Sequence, residues 1–306
     1  MAGDSSAELL RGNRCGAVTL HCEVSLLRIA AINFLNPAPL MWDFEHEPVQ
    51  RELNTRYAIN YTSPALCAER LREGSADIGL IPVAAYAMDP SLAIVPGCTI
   101  ASLDHIRSIL LVVRCSDGPE AARTVALDTS SRTSATYTKI LFHKYWNPQA
   151  EFLPHAPNLE EMLARADAAL LIGDPALYAL ADREARQQRT GECLHYLDLG
   201  HEWRSRTGLP WVSAFWGVRT EALAGKSTAL LVDDFQQSRD HGLAHIPELV
   251  AEWSAKMSLP AAVVEEYLTR NIHYVLDDPC LAGLELFYRY AAECSALPVT
   301  PSLRLL

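Results

Sequence analysis

The sequence predicts an α/β fold of two lobes with a central cleft between them, and three observations carry the prediction. Residues 27–34 (LRIAAINF), 77–82 (DIGLIP), 108–113 (SILLVV), 124–128 (TVALD) and 168–172 (AALLI) are short apolar runs bounded by turn residues, as strands buried on both faces are. Helical patterns alternate with them, which is the rhythm of a parallel sheet. Residues 211–218 (WVSAFWGV) form an aromatic run long enough to pass between lobes. A chain of 306 residues suffices for two cores, and 49% hydrophobic with 21% charged residues is ordinary for a globular protein.

Each element has a local reason. The first strand ends in NFLNPAPL (33–40), whose two prolines cannot continue a ladder. Ser63 is placed as an N-cap with Pro64 at the first helical position, residues 65–72 continue the helix, and Gly74 stops it. After residue 113 a loop of Ser, Asp, Gly and Pro reads as a lobe boundary. Asn158, with Glu161 three residues on, opens a helix over 159–165. Gly173-Asp174-Pro175 breaks the strand at 168–172 and starts the next helix, with Asp174 as N-cap. Stretches 229–240, 246–256 and 261–271 read as a C-terminal helical wrap. The expected division is a disordered extension at 1–27, a first lobe at 28–112 and 216–306, and an inserted second lobe at 113–215. The chain crossings are expected near 108–116 and 213–218.

Charge and motifs exclude several function classes. A formal charge of −11 with pI near 5.4 argues against nucleic-acid or anionic-membrane partners, which need a basic face. No apolar run has the length of a membrane span. Residues 1–27 carry no continuous apolar segment of a signal peptide, so a cytoplasmic location is expected. The eight cysteines include no C-x-x-C pair, so neither a metal centre nor a disulfide framework is expected. His241 and His245 lack the glutamate of H-E-x-x-H and read as a solvated helix face. Walker, G-x-G-x-x-G and G-x-S-x-G patterns are all missing, which removes the usual support for nucleotide binding or serine hydrolysis.

Residues 127–134 (LDTSSRTS) place five hydroxyl side chains and one guanidinium where a strand hands over to a helix. Helix starts offer unpaired N–H groups and a positive dipole end to a carboxylate or phosphate, while a single hydroxyl suffices for a cap. Ligands of open parallel sheets bind beyond the carboxyl ends of the strands. That rule nominates Asn33, Asn36, Ser63, Ser130, Ser131, Arg132, Thr133, Ser134, Gly173 and Asp174 as cleft residues. Gly173 is expected to permit backbone approach. Trp203, Trp211 and Trp216 are expected in the core.

Seven motifs in order, FLNPAPL (34–40), LxxGxxDIGLIP (71–82), RSILL (107–111), ALDTSSRTS (126–134), DAALLIGDPAL (167–177), DLGHEW (198–203) and TGLPWV (207–212), resemble the chorismate dehydratases of the futalosine route to menaquinone. Trp211 stands where that family usually has Phe, and residues 1–27 have no counterpart. The resemblance implies a type II periplasmic-binding-protein-like fold used as a hydro-lyase without metal or organic cofactor. The implied substrate is chorismate and the product 3-[(1-carboxyvinyl)oxy]benzoate. Asn36 and Ser108 are then the candidate catalytic residues, holding the intermediate and a substrate carboxylate that itself removes the ring proton. His105, His155 and His201 fall outside the cleft motifs on this reading. The sister 1,4-dihydroxy-6-naphthoate synthases share the fold and some motifs less closely. A non-catalytic small-anion binding protein of the same fold is the other alternative.

Overall fold

Ten strands form two five-stranded sheets in the computed structural model, which describes residues 26–114 and 118–306. The chain runs through β1 (Leu27–Ala31), β2 (Tyr57–Tyr61), β3 (Ile78–Pro82) and β4 (Ala93–Ser102). It crosses to β5 (Ile109–Val113), β6 (Thr124–Asp128), β7 (Glu151–His155), β8 (Ala168–Ile172) and β9 (His195–Asp198), then returns as β10 (Trp211–Val218). The orders are β2-β1-β3-β10-β4 and β7-β6-β8-β5-β9. Each sheet therefore has four strands running one way and one running against them, and that antiparallel strand is the one entered just after a crossing. The expected extension lies outside the described residues except for its last two, where Leu27 already opens β1.

This topology moves both expected crossings. Residues 109–112, assigned above to the first lobe, pair with β8 and β9 in the second sheet, so the outward crossing occupies 103–108. All of β10 pairs with β3 and β4 in the first sheet, so the return occupies 208–210, and residues 211–215 belong to the first lobe. A strand buried on both faces reads the same in either sheet, and its partners are what the sequence does not display.

Register brings the turns that follow the strands to facing edges. Ala31 pairs with Tyr61 in parallel, and β3 runs the same way, so the chain leaves β1, β2 and β3 at one edge of the first sheet. In the second sheet the chain leaves β6, β7 and β8 at one edge. Ile109 lies opposite Ile172 in antiparallel pairing, which brings Ser108 to that edge too. The helix Pro64–Glu73 starts as expected: Ser63 Oγ accepts from Leu66 N at 3.4 Å, and Gly74 closes the helix with φ 74°.

One continuous core joins the lobes. Tyr137, on the helix Arg132–Tyr145 of the second lobe, stacks on Trp211 of β10 with ring centroids 3.6 Å apart. Its hydroxyl accepts from Val212 N (3.2 Å) and donates to Val212 O (3.3 Å), where β10 shifts register against β4 between Val212 and Ala214. Trp203, Trp211 and Trp216 are all fully buried, as expected.

The turn after β1 is held from behind by the helix Thr228–Ala244. Gly242 lets the Pro39 carbonyl approach so closely that a Cβ would sit 2.1 Å from its oxygen. Next to it His241 is exposed, as expected of a solvated helix face, and its Nδ1 lies 2.8 Å from the carboxylate of Asp43, which is only 2% exposed. A buried carboxylate needs a partner, and the exposed histidine supplies one from the solvent side.

Candidate active site

The strand-to-helix segment divides its hydroxyls between structure and open space. Asp128, 1% exposed at the end of β6, turns the chain by accepting from Ser130 N at 2.8 Å, while its Oδ2 has no partner among the described residues. Ser131 is the N-cap of the helix Arg132–Tyr145: its Oγ accepts from Ser134 N at 3.2 Å and lies 3.1 Å from Ser134 Oγ. Thr133 Oγ1 accepts from Ala84 N at 3.2 Å, joining this helix start to the segment after β3 in the other lobe. Ser131, Thr133 and Ser134 thus have structural partners, as caps require. Ser130 and Arg132 are exposed, and their side chains have no partner among the described residues.

Gly173, not Asp174, begins the helix Asp174–Thr190. Its carbonyl accepts from Ala176 N (3.0 Å) and Leu177 N (3.1 Å), and its φ of 66° is left-handed, where a side chain would be strained. A Cβ added there would meet nothing within 4 Å, so the glycine answers to backbone conformation and faces open space. Asp174 is displaced from the cap into the first turn, with an exposed carboxylate. Gly173 N donates to Ser108 O at 2.7 Å, and Ser108 Oγ lies 3.1 Å from the hydroxyl of Tyr267.

A cavity of about 1090 Å³ is walled by Leu35 from the first lobe and Asp174 from the second, with Arg107, Tyr178, Tyr267 and Arg270 also lining it. Of the sequence-nominated residues, Asp174 alone lines this space. Ser108, 8% exposed, stands behind its wall through Tyr267. Asn36 follows Leu35, is half-buried, and has no side-chain partner among the described residues. Asn33 is exposed and accepts from Lys256 Nζ at 2.7 Å. Ser63 and residues 130–134 stand on the facing sheet edges outside the lining of this cavity.

Several cavity residues escaped sequence reading. Tyr267 opens a π-turn, Tyr267–Asn271, within a stretch whose spacing reads as plain helix, and such turns concentrate at functional sites. Burial pushes its phenol up to about 12, with the Ser108 hydrogen bond pulling against that rise and the Asp174 charge adding to it. Arg270, on the same turn, has no side-chain partner among the described residues. Arg107 adopts φ 64°, a left-handed conformation uncommon for a side-chain-bearing residue. His105 and His201, placed outside the cleft above, also line the cavity. With Asp104 they bring three ligand atoms within 4.8 Å of one another. However, the two rings stack 4.4 Å apart with planes 2° from parallel, so one ion cannot lie in both ring planes as arranged. A second such group, His273, Asp277 and Cys280, spends one Asp277 oxygen capping the helix Asp278–Glu293 through Cys280 N.

The chain matches known proteins over most of its length. A family model described as menaquinone biosynthesis covers residues 27–293. A chorismate dehydratase from Thermus thermophilus is 31% identical over 241 residues, which are 74% of this chain and 83% of that protein. Among solved structures, protein AF1704 from Archaeoglobus fulgidus aligns with TM-score 0.66 at 16% identity, covering 90% of this chain and 100% of that one. The periplasmic aliphatic sulphonate binding protein SsuA from Escherichia coli aligns with TM-score 0.61 at 15% identity, covering 92% and 93%. At such identities the likeness establishes the two-lobed periplasmic-binding-protein-like fold and says nothing of the ligand. The extent of the family match and the identity to the Thermus protein together place the chain in the menaquinone-biosynthesis family, among the chorismate dehydratases.

Proposed function

We propose that this protein is a hydro-lyase that converts chorismate to 3-[(1-carboxyvinyl)oxy]benzoate and water in menaquinone biosynthesis by the futalosine route. The identity to the Thermus chorismate dehydratase carries the reading, and the cleft chemistry agrees with it. Chorismate is a dianion. Arg132 on the second lobe and Arg270 on the first are guanidiniums without intramolecular partners among the described residues, a fitting pair for two carboxylates.

Loss of a ring proton and the neighbouring hydroxyl is redox-neutral and leaves an aromatic ring, so the task is chiefly orientation and proton handling. In this reading one substrate carboxylate takes the ring proton while Asn36 and Ser108 hold that carboxylate and the intermediate by hydrogen bonds. The departing hydroxyl leaves as water with the proton that the carboxylate took up, and the exposed Asp174 stands on the cavity wall where it can meet that hydroxyl. Proton NMR of chorismate mixed with the purified protein tests the reading: the cyclohexadiene signals should give way to those of a meta-substituted benzoate. Unchanged chorismate spectra at high enzyme concentration reject it.

Arg132→Ala should raise KM about tenfold, on the order of 1.4 kcal/mol of lost binding, with kcat much less affected. Steady-state kinetics of the variant read this directly, and an unchanged KM removes Arg132 from the substrate's contacts.

A further inference from the structure

The outward crossing is fastened by side chains on both sides. On one side, Arg107 Nη2 donates to Glu266 Oε1 (2.7 Å), Ser108 Oγ meets Tyr267 OH (3.1 Å), and Asn271 Nδ2 donates to His105 O (3.0 Å). On the other, the carboxylate of Asp198 accepts from Ile106 N (3.1 Å) and Arg107 N (2.6 Å). Four consecutive residues of the crossing, 105–108, are thus held between the end of β9 and the π-turn with its preceding Glu266. A left-handed Arg107 is strained and persists only where the surroundings over-determine it.

Resting on the dehydratase reading, we infer that Tyr267 is the positioning residue of Ser108: its phenol donates to Ser108 Oγ and so directs the serine's own proton away from it, toward a substrate carboxylate in the cleft. A hydroxyl can donate one hydrogen bond and accept two, so the serine can serve both partners at once. Of the two hydroxyls the phenol is the stronger acid and the better donor. A substrate carboxylate has lone pairs only, so Ser108 must be the donor to it, and an unassisted serine proton would be free to point back at Tyr267. The phenol stays protonated across any practical assay range because burial pushes it up to about 12. The π-turn fixes the approach, since Tyr267 follows directly on Glu266, which the Arg107 ion pair pins beside the crossing.

A double-mutant cycle on the full chain with chorismate as substrate tests the inference. Tyr267→Phe keeps the ring and should lower kcat about tenfold with KM within about twofold, and the effect should vanish in the Ser108→Ala background. An equal loss in both backgrounds, or a fall in both that tracks a lowered melting temperature, assigns the phenol to scaffold alone and overturns the inference. So does full activity of Tyr267→Phe. Wild-type protein inert toward chorismate overturns the dehydratase reading, and this inference with it, before any variant is compared.

Discussion

Asn36→Ala and Ser108→Ala are each expected to lower kcat by about 10²–10³-fold, on the order of 2.7–4 kcal/mol, while KM moves only a few-fold. The two residues come from opposite lobes: Asn36 from the turn after β1, and Ser108 from the edge of the second sheet beside Gly173. Each offers a neutral donor, both to the substrate carboxylate as it is aimed at the ring proton and to the intermediate on which negative charge develops as that proton leaves. Donors fixed before the reaction act chiefly on the transition state, which is why the loss belongs in kcat. Asn36 is suited to this because no intramolecular partner among the described residues competes for its amide, whereas Asn33 is engaged with Lys256. Steady-state kinetics on both variants decide the matter. Full activity in both would remove the two residues from the chemistry.

Tyr137→Phe is expected to destabilise the protein by about 2–3 kcal/mol, since deleting one hydroxyl leaves two buried backbone groups of Val212 without that partner. The ring stack on Trp211 survives the change, so the loss measures the hydroxyl rather than a cavity. The urea midpoint should fall with little change in slope. Because Tyr137 belongs to the second lobe and Val212 to the first, the variant should weaken both lobes in a single transition. A loss below about 0.5 kcal/mol would mean that β10 pairs its own groups once the hydroxyl is gone.

What the sequence displayed was the interior of each sheet. The strands read from it, β1, β3, β5, β6, β8 and β10, are the inner strands of the two sheets, while the unread β2, β4, β7 and β9 are the four edges. Inner strands are buried on both faces and print as apolar runs. The edge strand β7 is exposed along most of its length and carries Pro154, and β4, though buried, contains Pro96 and Gly97 at the bend where Gln236 reaches the Pro96 carbonyl. Caps were legible where a side chain makes the local bond, as at Ser63 and Asn158, whose Oδ1 accepts from Glu161 N at 3.3 Å. The cap failed at Asp174 because a left-handed glycine did the work with its backbone carbonyl. Of the residues that strand-to-helix turns nominate, Asp174 lines the cavity. Tyr267, Arg270 and Arg107 were not legible, because a π-turn and a left-handed arginine are imposed by contacts between segments far apart in the chain, Arg107 with Glu266 and Asp198 among them.

Chromatography with mass detection of a chorismate incubation reads whether this cleft removes water from chorismate. Chorismate should be consumed by the wild-type protein and replaced by an aromatic product lighter by one water, with the Asn36→Ala and Ser108→Ala proteins far slower. Chorismate recovered intact from the wild-type incubation would contradict the dehydratase reading and leave the naphthoate-synthase and small-anion-binding alternatives to be tested on the same fold.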